Sequence, residues 1–208
     1  MKNWWYYHKW YVIIGIILLG VAIDLICSAL GLFTKCPDLQ IAYVGKVPLP
    51  QDTVSALQQA FTALSGDYNH DGEIIVRINQ YISDSKTTDV DLAYYQYASE
   101  ITLIGDISDC ESYFFLLEDP QDFQRQYQLL ALPDGSCPDE SDYSVDDKII
   151  PWSDCLLLSE MDLDTELFAN LSLGRRCFFT DDVSDNLPEC SALWDTLYSS
   201  AINHSNTP

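Results

Sequence analysis

Basic residues are scarce in this chain. Its 208 residues include 10 Lys and Arg against 32 Asp and Glu, which gives a formal net charge of −22 at pH 7. Nucleic acids and anionic lipid surfaces require a positively charged protein face, so neither is expected to bind the soluble part. The adjacent basic pair, Arg175 and Arg176, is expected to neutralise nearby carboxylates.

Histidine is also rare, and the motifs of common enzyme classes are missing. The chain has 3 histidines and contains no GxSxG, no HExxH, no phosphate-binding glycine loop and no dinucleotide fingerprint. A Cys-His or Ser-His nucleophile would have to use His70, which lies in a turn pattern. Zinc is not expected, because there is no CxxC and His70 and His204 lack ligand spacing. We therefore expect binding rather than catalysis, with a calcium-dependent cell-surface hydrolase as the alternative.

One long apolar run contrasts with the acidic remainder. Residues 11–33, YVIIGIILLGVAIDLICSALGLF, are long enough as a helix to cross the hydrocarbon core of a bilayer. Trp and Tyr crowd residues 1–10, as they do at membrane interfaces. A cleaved signal peptide is the alternative, but the apolar run continues past the small residues near Cys27. We predict a single-pass signal-anchor helix in the cell membrane.

The orientation of this helix is predicted from cysteine usage, because the basic residues on its two sides are nearly balanced. Six of the seven cysteines follow the apolar run, a density that is high for a reducing cytosol and ordinary outside it. We therefore predict residues 1–10 inside the cell and the C-terminal domain outside. Proximity in sequence favours disulfides between Cys137 and Cys155 and between Cys177 and Cys190.

Asp24 lies near the middle of the predicted span. A carboxylate at that depth costs about 2.5 to 3.5 kcal/mol on insertion scales. Either Asp24 faces a partner helix, which makes the protein a structural subunit of a membrane complex, or the helix shifts until Asp24 nears the headgroups. Both alternatives remain open from the sequence.

Strand and helix patterns alternate after the membrane helix. We predict a tether at 34–38, an α/β domain at 39–202 and a disordered tail at 203–208. Strand, helix, strand, helix, strand predicts right-handed crossovers, hence three layers with a mostly parallel sheet. The predicted strands are 39–45, 74–82, 112–117, 148–150, 155–158 and 172–179, and the predicted helices are 52–66, 89–105, one from Asp119–Pro120, and 187–202.

Two of these helices carry apolar stripes that we expect to face the core. Val54, Leu57, Phe61 and Leu64 recur at steps of three and four in the helix at 52–66. The second stripe, in the helix at 89–105, is Val90, Tyr94, Tyr97, Ile101 and Ile104.

The turn DYNHDGE at 67–73 is the clearest chemical feature. Asp67, Asn69 and Asp71 place oxygen side chains at alternate positions before a glycine, as in the first half of an EF-hand loop. Glu73 is a local candidate for a further ligand, and these four residues are the predicted calcium site. The alternative is a structural turn that uses the tolerance of Asp, Asn and Gly for left-handed backbone.

The middle of the chain resembles a known family. A helix ending near GDISDCES, the strand in YFFLLEDP and the capped helix that follows resemble the first lobe of extracellular solute-binding proteins of bacterial ABC transporters. The turn before VRINQY is similar to one in some of these proteins. The N-terminus YYHKWYVIIG with its acidic ectodomain is similar to uncharacterised membrane-anchored bacterial proteins. The resemblance implies one periplasmic-binding-protein lobe without the hinged cleft of two lobes.

These observations predict a membrane-anchored extracytoplasmic domain that acts by binding. The expected partner is another envelope protein or a small ligand.

Overall fold

The computed structural model describes residues 2–29, 35–83, 90–159, 168–179 and 187–205. The chain divides into two compact units, Met1–Cys36 and Pro37–Pro208. In the first unit, helix α1 spans Lys2–Ala29. Among the described residues, α1 is the one helix long and apolar enough to span a membrane, with a mean hydropathy of 2.1 over His8–Ile26. This helix is compatible with a single-pass anchor or with a signal sequence.

The second unit is built on a mixed sheet. Its described strands are in the order β2-β1-β3-β5-β4. Strand β1 pairs in parallel with β2 and β3, whereas β5 pairs antiparallel with β3 and β4. The α/β class is confirmed, and the sheet is mixed rather than mostly parallel. The strands are β1 Leu39–Gly45, β2 Val76–Ile82, β3 Phe114–Leu117, β4 Ile149–Pro151 and β5 Ser172–Arg175.

Helices cover both faces of this sheet, as three layers require. On one face, Ile41 and Phe114 pack with side chains of α2 and α6. On the other face, Ala42 and Phe115 pack with side chains of α3 and α4. Alternate residues of one strand therefore belong to opposite cores. The helices are α2 Gln51–Leu64, α3 Val90–Ser108, α4 Pro120–Tyr127, the short α5 Leu156–Ser159, and α6 Leu187–Ser205.

Local sequence accounts for the boundaries of two helices. Asp119 caps α4 by accepting from the Asp122 backbone N–H at 2.9 Å, and Pro120 occupies the first turn, as predicted. Helix α2 buries its predicted stripe except for Leu64, which is half-buried. The helix ends at Leu64, and the N–H of Ser65 donates to the Phe61 carbonyl. The predicted closing glycine, Gly66, lies one residue beyond that cap.

Helix α3 is rotated opposite to the prediction. Its apolar stripe faces solvent, with Tyr94 76% and Tyr97 63% exposed, while Leu103 is 1% and Asp106 3% exposed. Polar contacts explain the rotation. The Asp106 carboxylate accepts hydrogen bonds from the Tyr81 hydroxyl and the Ser112 N–H. The Ser99 hydroxyl accepts one from the Ile82 N–H at 2.7 Å. These contacts stabilise α3 more than burial of the apolar stripe would. The side chain of Val90, the first residue of that stripe, is outside the described part of the chain.

A second prediction that the structure corrects is the strand at 155–158. A 3-10 turn at Trp152–Asp154 precedes this range, and α5 at Leu156–Ser159 occupies most of it. Cys155 and Leu158 are buried by helical turns rather than by strand pairing, because both pack among the side chains under α6. A short apolar run has no period that separates the two possibilities.

Candidate functional site

The sheet has a topological switch point between β1 and β3. Strand β2 lies on one side of β1 and β3 on the other, and the connecting helices α2 and α3 cover opposite faces. Ligands of open α/β sheets bind outside the carboxyl ends of the strands at such a point. Here the structure has a crevice of about 430 Å³, which begins at Gly45, the last residue of β1, and at Glu118, the residue after β3.

Carboxylates dominate the charge of this crevice. Glu118, Asp119 and Asp122 line it together with one basic residue, Lys46. The Lys46 backbone N–H donates to Oε2 of Glu118 at 2.7 Å, and the Lys46 ammonium lies 3.9 Å from Oε1. Oδ1 of Asp119 accepts the capping hydrogen bond of α4. The crevice therefore presents more negative than positive charge, and its carboxylates come from two elements.

The floor of the crevice has no room for a side chain at Gly45. A Cβ there would collide with the Tyr43 hydroxyl and lie 3.0 Å from Oε2 of Glu118. The Tyr43 hydroxyl donates to the Val47 carbonyl at 3.0 Å, and burial together with the charge of Glu118 raises the pKa of Tyr43 to about 12. Glycine is thus required by close approach.

A smaller cavity of about 260 Å³ continues from the crevice along α4. The two share Ser83, Asp122, Gln126 and Tyr127. Burial raises the pKa of Tyr127 to about 12, and the charges of Glu100 and Asp122 contribute to the increase. An acidic groove with tyrosine in its wall thus runs from the sheet edge to α3.

The lining residues define what this groove can do chemically. Carboxylate oxygens accept hydrogen bonds from hydroxyl and ammonium groups, and aromatic faces attract cations. The described lining has no cysteine or histidine, so no thiol or imidazole lies there to act as nucleophile or base. The arrangement favours reversible binding of a positively charged or hydroxyl-rich molecule.

Most of these residues were missed by sequence reasoning. Gly45-Lys46 and Glu118-Asp119 directly follow two predicted parallel strands, so the switch-point rule is the signal that identifies them. Tyr127 and Glu100 carry no such signal, because only the packing of α4 against α3 brings them together.

The predicted calcium turn forms a network with its own backbone. Oδ1 of Asp67 accepts from Asp71 N–H at 3.1 Å, and Oδ2 accepts from Gly72 N–H at 2.9 Å. Asn69 Oδ1 accepts from the same Asp71 N–H, and Asp71 Oδ1 from Glu73 N–H. In the described parts of the chain, no three His, Cys, Asp or Glu side chains are grouped to hold a metal. Calcium binding stays a prediction.

A residue outside the motif anchors this turn. The buried Asp38 carboxylate accepts from Tyr68 N–H at 2.8 Å, from Asn69 N–H at 3.1 Å and from Ile75 N–H at 2.8 Å. Asp38 was assigned to the tether, but it belongs to the fold. Its carboxylate therefore links the start of β1 to the turn that precedes β2.

The two predicted disulfide pairings stay predictions. Cys137, Cys155, Cys177 and Cys190 are thiols in the structure. The Cys155 thiol lies 3.7 Å from the Leu197 carbonyl under α6, whereas the neighbour of Cys177 is Cys137.

The remaining predicted residues are not part of the groove lining. Asp24 belongs to α1 in the first unit, where its side chain is exposed. Arg175 and Arg176 are both buried and donate hydrogen bonds to backbone carbonyls, those of Leu132 and Ile107 among them. Hydrogen bonds from Ser136 lower the pKa of the Asp134 carboxylate, and the charge of Arg175 lowers it further, so Arg175 also acts on a carboxylate as expected.

Comparison of the chain with protein-family models, with curated proteins and with solved structures finds no match. The resemblance to a solute-binding lobe therefore rests on the sequence patterns alone.

Proposed function

We propose that this protein binds a small organic cation in the groove at the switch point. The observation that carries the proposal is the crevice of about 430 Å³, whose polar lining combines Glu118, Asp119 and Asp122 with Lys46. The net charge of −22 attracts cations over a distance and raises their rate of association. Tyr127 supplies an aromatic face beside the charges of Asp122 and Glu100.

The proposed function also requires that the protein is anchored in the membrane. We infer that α1 is a single-pass anchor with residues 1–10 inside the cell and the domain outside. The apolar span His8–Ile26 supports the anchor, and the cysteines beyond it support the orientation. Protease added to intact cells should then remove the domain, and a domain cut only after lysis would contradict this orientation.

Likeness to one lobe of a solute-binding protein is also part of the proposal, and it rests on the sequence patterns. The parallel half of the sheet, with helices on both faces, places the groove at the carboxyl ends of β1 and β3. A groove formed by a single lobe does not close over its ligand by hinge motion, so we expect fast exchange and modest affinity of this domain.

Titration calorimetry on the full chain in detergent tests the ligand class. We use spermidine as the cation, sorbitol as a neutral polyol and inorganic phosphate as an anion. We expect heat only with spermidine. Asp122→Asn and Glu100→Gln should each weaken binding by roughly two- to fivefold, the range of exposed charge pairs.

A matched control separates the groove from the general acidity. Asp195 is exposed on α6, on the opposite face of the sheet, so Asp195→Asn removes one negative charge far from the groove. Spermidine affinity that falls equally in Asp195→Asn and in Asp122→Asn would mean that the cation binds the acidic surface as a whole. Sorbitol binding as tight as spermidine would contradict the cation.

A protein partner is the second candidate function. The outward face of α3 exposes Tyr94, Tyr97, Ile101 and Ile104, and contiguous apolar patches of this kind mark interaction sites. A photo-crosslinker at position 101, outside the lining of the groove, should give a discrete protein adduct in intact membranes that position 195 does not give. Adducts of equal size and yield at both positions would contradict this candidate.

Asp24 provides a third alternative, assembly within the bilayer. A carboxylate in the span is expected to face another helix. Asp24→Leu should then leave the domain folded while a detergent-stable complex is lost. An unchanged complex would leave α1 as an anchor only.

A further inference from the structure

Sheet pairing brings Cys137 and Cys177 together although they are far apart in sequence. The segment after α4 runs antiparallel to the end of β5, where Ala131 N–H donates to the Arg175 carbonyl at 2.9 Å and Cys177 N–H to the Leu129 carbonyl at 2.8 Å. The position of Cys177 relative to this segment is therefore defined by two backbone hydrogen bonds.

A closed turn brings Cys137 back toward the same strand. Leu132 N–H donates to the Ser136 carbonyl at 2.9 Å, and Gly135 N–H to the Leu132 carbonyl at 2.8 Å. Nη2 of the buried Arg175 donates to the carbonyls of Leu132 at 2.9 Å and Pro133 at 2.6 Å. Arg175 thus fastens the turn that precedes Cys137 to the strand that precedes Cys177.

The two thiols meet at this point. The Cys137 thiol donates to the carbonyl of Phe178, the residue after Cys177, at 3.3 Å, and the Cys177 thiol donates to the Gln128 carbonyl at 3.7 Å. Cys137 also lies close enough to Cys177 to influence the pKa of its thiol. Cys177 is buried and Cys137 half-buried, so solvent reaches only one of the pair.

The surroundings favour a structural cross-link over a reactive dithiol. Burial raises the pKa of the Cys177 thiol, and the adjacent Cys137 raises it further. Catalytic and redox-sensing thiols have a lowered pKa instead. Metal binding is not indicated, since no third ligand joins the pair within the described residues.

We propose that Cys137 and Cys177 form a disulfide that joins the turn after α4 to the end of β5. The oxidant is a small or protein disulfide. Cys137 loses its proton and attacks one sulfur of the oxidant, which releases a first thiol. Cys177 then loses its proton and attacks Sγ of Cys137, which releases a second thiol. The two protons and two electrons leave with the oxidant as two thiols.

Peptide mapping of the full chain in detergent tests the connectivity. The protein is incubated with oxidised glutathione, denatured, alkylated with N-ethylmaleimide, and digested with trypsin and a protease that cleaves before Asp. This combination separates Cys177 from Cys190 and Cys137 from Cys155. We expect the peptides DGSCP and CFFT, 134–138 and 177–180, to be recovered as one cross-linked species.

Thermal unfolding gives a second measurement. A disulfide that closes a loop of this length should raise the melting midpoint of the oxidised protein over the reduced protein by roughly 10 °C. Cys137→Ser should abolish the difference, and Cys190→Ser should keep it. The peptide map needs no variant, so a Cys137→Ser protein that does not fold leaves the test intact.

Three results would overturn the proposal: a link from Cys177 to Cys190, a link from Cys137 to Cys155, or alkylation of both Cys137 and Cys177 after oxidation. None of these bears on the ligand of the groove, so the two proposals stand or fall separately.

Discussion

The Tyr81 hydroxyl donates a hydrogen bond of 2.7 Å to Oδ2 of Asp106, and both side chains are buried. The same carboxylate accepts from the Ser112 N–H at 3.0 Å and from the Ser112 hydroxyl at 2.6 Å. Arg176 donates to the backbone carbonyls of Asp106 and Ser112. This network ties β2, α3, the start of β3 and the end of β5 into one unit.

Removing one donor from this network should cost less than removing the carboxylate. Tyr81→Phe is expected to lower the free energy of unfolding by about 1 to 2 kcal/mol, because Asp106 keeps Ser112. Asp106→Ala should cost about 3 kcal/mol or more, since several buried donors lose their acceptor. Urea unfolding measures both. Tyr94→Phe, at an exposed site on α3, is the control and should stay within about 0.5 kcal/mol.

Polar substitutions on the outward face of α3 should be tolerated. Tyr97→Ser and Ile101→Ser are expected to change the free energy of unfolding by less than about 1 kcal/mol, because both side chains face solvent. Leu103→Ala, on the buried face, should cost about 2 to 5 kcal/mol. A large loss at Tyr97 and a small one at Leu103 would show that α3 packs on its other face.

The crevice floor predicts opposite effects for two glycine-to-alanine changes. Gly45→Ala places a methyl group against Tyr43 and Glu118 and should cost about 1 to 3 kcal/mol. Gly105→Ala, in the interior of α3 with nothing within 4 Å of the added carbon, should stabilise by about 0.5 to 1 kcal/mol. Thermal melts of both variants test these two predictions. A Gly45→Ala variant that is more stable than the wild type would mean that the crevice floor has room for the added methyl group.

Asp38 should matter more to the DYNHDGE turn than any residue of the motif. Asp38→Ala removes the acceptor of three backbone N–H groups and should lower the free energy of unfolding by about 3 kcal/mol or more. Asp67→Asn, which keeps one side-chain oxygen, should cost about 1 kcal/mol. If urea unfolding shows that Asp38→Ala and Asp67→Asn lower the free energy of unfolding equally, Asp38 is not the anchor of the turn.

The same turn provides the test for calcium. If the oxygens of Asp67, Asn69, Asp71 and Glu73 hold the ion, millimolar Ca²⁺ raises the melting midpoint of the wild-type chain over its value in EDTA. Asp71→Asn keeps an acceptor for the Glu73 N–H and should lose the shift. A wild-type midpoint that is equal with and without Ca²⁺ means that the turn is purely structural.

Acid should act on the ion pair between Asp142 and the fully buried Lys148, whose ammonium lies 2.9 Å from Oδ2. The Ser144 hydroxyl and the Lys148 ammonium lower the pKa of Asp142 from 3.8 to about 2. The unfolded chain therefore takes up this proton first, and the stability that Asp142 contributes is present above pH 3.8 and is lost as the pH falls toward 2. Asp142→Asn should show a shallower decrease in melting midpoint across that window than the wild-type chain, and parallel curves would contradict the assignment.

Sequence patterns predicted those elements whose limits are set by local chemistry. Strand β1 ends at Gly45 as predicted, and α4 begins at the predicted Asp119 cap. Helix α3 has apolar residues on its outward face and polar anchors on its inward face, so periodicity selected the wrong side. Only the tertiary contacts of Ser99 and Asp106 decide its rotation.

The groove was predictable in part for the same reason. Residues at the carboxyl ends of β1 and β3 follow from strand order, which two parallel crossovers make foreseeable. The contribution of Tyr127 to the groove depends on how α4 packs against α3. The proximity of Cys137 and Cys177 depends on antiparallel pairing, which no local sequence pattern predicts.

Trp152 and Trp194 are the tryptophans of the second unit, and both lie in the layer under α2 and α6, where Trp152 stacks on Phe168 and Trp194 on Tyr198. The three other tryptophans of the chain precede Tyr11. Within the second unit, indole emission therefore reports on one side of the sheet. With the three N-terminal tryptophans changed to phenylalanine, indole fluorescence during denaturation follows the loss of that one layer.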